Sequence, residues 1–85
     1  MWRVEHTHMK TNNNVARYIA SKGIAKHMTR TEAAHVWSDL KREGWTKDGI
    51  MLVKHDEEGT QRFFTFTKVS EHKVSVSYME LEVAL

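Results

Sequence analysis

Cysteine and proline are both missing from this 85-residue chain, and only four glycines interrupt it. Without cysteine there is no disulfide to staple a small core and no thiolate to hold zinc. Without proline, breaks in regular structure have to come from glycine and from short polar runs. Long apolar runs are lacking as well. None approaches the roughly 18 residues that a membrane-spanning helix needs, and the opening "MWRVEHTHMK" has no signal-peptide apolar stretch. The expectation is a single small domain over residues 1–85, soluble and cytoplasmic, with no membrane partner. A chain of this length buries roughly 60 to 65% of its unfolded surface, which leaves one modest core and little room for a deep enzymatic cleft.

Signatures of catalysis are also wanting. No serine sits in a nucleophile elbow and no glycine-rich phosphate loop is present. Glu57 and Glu58 fall in a turn, where nothing marks a catalytic pair. Among the six histidines, His6 and His8 project from one side of an alternating segment, but two ligands are too few for a metal site. His35 and Asp39 lie one helical turn apart, a spacing suited to a surface hydrogen bond. A non-enzymatic protein with no catalytic residues, no metal and no cofactor is expected.

Charge is present, and its distribution matters more than the net +2. Residues 10–30 carry Lys10, Arg17, Lys22, Lys26 and Arg30 without one carboxylate; residues 10–47 hold eight cations against three acids, and residues 48–85 hold four against seven. A bipolar molecule follows, with one half suited to phosphate or to an acidic protein face.

The spacing of apolar residues predicts an α+β fold with two N-terminal helices, the second dominant, packed on a three-stranded antiparallel sheet. "WRVEHTHM" alternates and suits a short N-terminal strand or arm. The asparagines of "KTNNN" are N-cap candidates for a first helix over about 14–22, where Val15, Tyr18, Ile19 and Lys22 share a face and Gly23 supplies a stop. "IAKHM" reads as a short helical turn or an irregular connection. In "TRTEAAHVWSDLKREGW" the signals agree: Thr29 and Glu32 form a capping box, Ala33, Val36, Trp37 and Leu40 form an apolar stripe, and Gly44 ends the helix with Leu40 and Trp45 placed for the accompanying contact. This predicts a helix over about 30–43. After "TKDG" the period becomes two. Residues 49–55 and 61–69 read as strands joined through "DEEGT", and a third strand starts near His72. Near Tyr78 the apolar phase reverses, from Val74 and Val76 to Met79, Leu81 and Val83. A bulge, or a strand that leaves one surface for another, would account for it, and the tail becomes a candidate for homodimer contact. The expected core is Val15, Ile19, Val36, Trp37, Leu40, Ile50, Leu52 and Val76 with one phenylalanine set from the central strand.

Residues 15–68 resemble a winged helix-turn-helix domain, "TRTEAAHVWSDLKREGW" standing where the recognition helix does and "GIMLVKHDEEGTQRFFTFTK" where the two-stranded wing does. The resemblance implies a helix in the major groove, preceded by another short helix, with cations of the preceding helix and the wing on phosphates. "RFFTFTK" is similar to the R-x-F-x-F core of the RNP1 motif of RRM domains, which implies bases stacked on Phe64 and Phe66 between Arg62 and Lys68; whether that side of the strand is core or binding surface stays open. In size, bipolar charge, absence of cysteine and absence of catalytic motifs, the chain also resembles small tailed-phage proteins that disarm host factors, among them inhibitors of RNA-cleaving toxins of toxin-antitoxin systems.

Two functions are therefore expected in the alternative. The first is a nucleic-acid module, RNA preferred, contacting phosphate through Lys10, Arg17, Lys22, Lys26, Arg30, Arg42 and Arg62. The second is an inhibitor or adaptor that binds a host protein such as a toxin-antitoxin ribonuclease, alone or together with RNA.

Overall fold

The computed structural model describes residues 11–57 and 59–82. The first helix, α1 (Asn14–Lys22), is capped by the side chain of Asn13, which accepts the amide of Ala16, and it stops at Gly23 with φ 71°. In the segment after it Ile24 and Ala25 form an irregular connection, but from Lys26 onward it is neither a helical turn nor irregular. It is an edge strand, β1 (Lys26–Thr29). Thr29 ends that strand and caps the dominant helix, α2 (Arg30–Arg42), where the threonine hydroxyl accepts the Glu32 amide and the Glu32 carboxylate accepts the Thr29 amide. At the other end Gly44 takes φ 99°, the Trp45 amide donates to the Leu40 carbonyl, and the Gly44 amide donates to Lys41. This is a Schellman stop, and both members of its apolar pair, Leu40 and Trp45, are buried.

Four more strands follow: β2 (Thr46–Asp48), β3 (Met51–His55), β4 (Thr60–Lys68) and β5 (Lys73–Glu82). With β1 they make one antiparallel five-stranded sheet in the order β1-β5-β4-β3-β2. The expected three-stranded sheet is thus corrected to five. The α+β class stands. The two strands missed are three and four residues long, too short to carry a legible alternation, and their edge positions are set by pairing rather than by pattern. The alternating segment before residue 11 lies outside the described residues.

The core lies between one sheet face and the two helices. It comprises Ala16, Ile19, Met28, Ala33, Val36, Leu40, Trp45, Leu52, Phe64 and Val76, with Val15, Trp37, Phe66 and Tyr78 packed at its margin. Ile50 departs from expectation. It sits in the two-residue turn between β2 and β3 and is exposed. On α1 the buried positions are Ala16 and Ile19, while Tyr18 and Lys22 point outward. Ala16 and Ile19 face the core, and the bulky ring of Tyr18 is turned to solvent.

No bulge explains the phase reversal at Tyr78. β4 and β5 pair residue for residue from Lys68↔Val74 to Thr60↔Glu82. Val74, Val76 and Tyr78 share the helix-covered face, so Met79 and Leu81 fall on the other one. There they join Phe63 and Val53, which the register places opposite Met79 in a row across three strands.

Candidate nucleic-acid interface

Strand direction converts the uneven charge of the sequence into a polarity along the sheet. β4 runs from Thr60 to Lys68 and β5 returns from Lys73 to Glu82, so Lys68 and Lys73 stand at one end while Glu80 and Glu82 stand at the other. The two ends are about 26 Å apart at the usual strand rise. Lys73 is paired with Thr29, the residue before Arg30. The Arg30 guanidinium donates to the Glu71 carbonyl at 3.4 Å, which ties the start of α2 to the β4–β5 turn. Arg30, Lys68 and Lys73 therefore collect at one end, with Lys26 three residues further in along β1 and Glu32 and Glu71 as the acidic neighbours.

Arg17 and Lys22 lie on the outer side of α1, whose N-terminal end is held against the C-terminal part of α2 by bonds from Asn12 to Glu43 and from Asn13 to Asp39. Between Arg17 and Lys22, Tyr18 is 49% exposed, and the Lys22 ammonium lies 5.7 Å from its ring centroid, within reach of a cation–π attraction. Arg17, Lys22 and Lys26 are all exposed. Among the described residues none of the three forms an ion pair. Glu32 tempers the edge of the patch: hydrogen bonds from the Thr29 amide and hydroxyl, with smaller help from Lys26 and Lys73, hold its carboxyl below the ordinary range. The carboxylate therefore stays charged beside Lys26 and Lys73 while it completes the helix cap.

Other expected contacts are elsewhere or occupied. Arg42 lies twelve residues beyond Arg30 on the same helix, about 18 Å away, and pairs with Asp39 at 3.2 Å. Asp39 also accepts from the Asn13 side chain at 2.7 Å, so its partners are Arg42 and Asn13 rather than His35. Lys10 and Val83, together with His6 and His8, lie outside the described residues.

Arg62 is corrected outright. It is 8% exposed, and its guanidinium bonds Asp56 at 3.1 Å, Glu80 at 2.6 Å and the Tyr78 hydroxyl at 3.2 Å. Burial acts to lower its pKa, but Tyr78 and the two carboxylates outweigh that and leave it raised. Tyr78 in turn donates to Glu80. Burial and that bond push its phenol pKa up, so the hydroxyl stays protonated. A guanidinium enclosed in this way holds the acidic end of the sheet together and has no face left for phosphate.

The aromatic platform is corrected with it. Phe64 is fully buried, stacked in tilted geometry between Trp45 and Tyr78 at ring separations of 5.0 and 4.9 Å. Phe66 is half-buried, with Trp37 set edge-on at 4.9 Å. The Phe64 side is core, and the phenylalanine on the uncovered face is Phe63. Sequence reasoning missed two members of the basic surface. Tyr18 had a signal, since Ala16 and Ala20 leave it on the wider side of a small-residue helix face; Lys73 had none, because only strand register brings it beside Arg30.

Among the described residues no group of three histidine, aspartate or glutamate side chains is placed to hold a metal ion, and no helix is long and apolar enough to cross a membrane. The short helix implied by the winged-helix resemblance ahead of the dominant one is replaced by β1. Compared with protein-family models, with curated proteins and with solved structures, the chain matches none of them.

Proposed function

We propose that this is a small non-enzymatic nucleic-acid module, RNA preferred, that binds through the outer face of α1 and the adjoining basic end of the sheet. Arg17, Lys22, Lys26 and Arg30 hold phosphates, and Tyr18 offers a ring on which an unpaired base can stack. The observation that carries this reading is the exposed tyrosine set between Arg17 and Lys22 on a helix face without a carboxylate. Single-stranded RNA suits such a surface better than a duplex, because its bases are free to stack while cations follow the backbone.

Retardation of a mixed-sequence single-stranded RNA at low salt tests the proposal. Replacing Arg17, Lys22 and Lys26 together by glutamate is expected to abolish retardation while circular dichroism stays unchanged. Undiminished binding by that folded variant would refute the assignment of the surface.

The alternative, an inhibitor or adaptor that binds a host protein, draws support from a different region. Val53, Phe63, Met79 and Leu81 form an apolar group on the sheet face that neither helix covers, and exposed apolar groups of this kind serve protein contact. A stable complex recovered with a host ribonuclease, lost on replacing Met79 and Leu81 by lysine, is the expected result for that reading.

A further inference from the structure

β5 is paired on both sides for only part of its length. β4 accompanies it from Val74 to Glu82, whereas β1 reaches only from Lys73 to Val76. Among the described residues no strand pairs with residues 77–82 on the β1 side, a length of about 20 Å of backbone. Two of the usual protections of such an edge, a bulge and a proline or lysine, are absent from this stretch, whose only charges are Glu80 and Glu82. The register is continuous, so no bulge twists the edge away.

The side chains along this edge describe what would fit it. Met79 and Leu81, 50% and 48% exposed, point to the uncovered face. Glu80 and Glu82 point to the other. Around them Asp56, Glu57, Glu80 and Glu82 outnumber Lys54 and Arg62, and Arg62 is already shared between Asp56 and Glu80. An added strand is therefore asked for apolar side chains on one face and cations on the other. A second copy docked on this edge answers only half of that demand. Antiparallel pairing of β5 with itself keeps each face together, so Glu80 and Glu82 of both copies would lie on one side of the joint sheet, and like charges across strands destabilise.

We propose that residues 77–82 receive an extended protein segment in which apolar residues alternate with lysine or arginine, added to β5 as a further strand. Main-chain hydrogen bonds supply the affinity and the alternation supplies the selectivity. The site lies at the acidic end of the sheet, so it does not rest on the nucleic-acid reading.

The test uses the whole chain and two synthetic nine-residue peptides, one alternating valine with lysine and one alternating valine with glutamate. Fluorescence anisotropy is expected to show the lysine peptide binding at least about tenfold more tightly, with amide exchange slowing at residues 77–82. Replacing Met79 and Leu81 by lysine should weaken binding by about tenfold while circular dichroism stays unchanged, since both side chains are half-exposed. Equal binding of the two peptides, or protection elsewhere than β5, would overturn the proposal. So would a concentration-dependent dimer protecting these same amides, which would give the edge to a second copy.

Discussion

Thr29 serves as the last residue of β1 and as the cap of α2, so its hydroxyl sets the angle at which the helix leaves the sheet. Thr29→Ala is expected to cost about 1 kcal/mol, read from the urea midpoint. Its partner Glu32 has a depressed carboxyl pKa caused first by the Thr29 amide. The folded pKa lies below the unfolded one, so the stabilisation is complete above the ordinary carboxylate value and is lost as pH falls through the lowered one. The stability difference between the chain and Glu32→Gln should shrink as pH is taken from about 6 to about 3. Arg62 gives the larger effect at this scale. Removing it takes the guanidinium away from Asp56, whose side chain is 11% exposed, and from Glu80, nearly half exposed, which suffers less. Arg62→Met should cost about 3 kcal/mol in urea denaturation. With the variant still folded, RNA retardation should be unchanged, which separates a structural cation from a phosphate contact.

The two helices divide their work by the faces they present. α2 commits Ala33, Val36 and Leu40 to the sheet, and its ends are closed by a capping box and a Schellman turn, so most of its length is occupied in holding the core. α1 commits only Ala16 and Ile19 and leaves Arg17, Tyr18, Ser21 and Lys22 outside. The element best written in the sequence is therefore the scaffold, and the plainer helix carries the candidate surface. Tyr18→Ala should weaken single-stranded RNA binding by about 1 to 3 kcal/mol, the usual worth of one stacked base, with little loss of stability because half of the ring is exposed. Phe64→Ala should do the reverse. It empties a fully buried site at the centre of β4 and is expected to cost about 4 kcal/mol, seen as a drop in the thermal midpoint.

At the scale of the molecule, antiparallel strands turn a difference between two parts of the sequence into a difference between two ends of one sheet. A polyanion approaches the end carrying Arg30, Lys68 and Lys73, while the end carrying Glu80 and Glu82 repels it. If three cations neutralise phosphates, the logarithm of the affinity for single-stranded RNA should fall with the logarithm of salt at a slope of about −2. A slope near zero would mean that the charges contribute little to binding. The basic end of the sheet and residues 77–82 of β5 lie toward opposite ends of the β4–β5 pair.

Local chemistry was enough to read both helices from the residues alone, because caps, stops and the 3.6-residue stripe act within one or two turns: Asn13, Gly23, Thr29, Glu32 and Gly44 all play the parts their types predict. The hairpin between β3 and β4 was legible for the same reason, with Gly59 at φ 91° and the Asp56 side chain accepting the Thr60 amide. Strand pairing decided the rest. β1 and β2 are too short to show a period, and the exposed Ile50 became a turn residue because β2 folds back onto β3. Arg62 and Phe64 have the composition of a binding strand; which face the helices covered determined that one became a buried ion-pair partner and the other the centre of the core. Charge and helix position are local properties written along the chain, whereas register and face are relations between distant segments, and only folding brings those segments together.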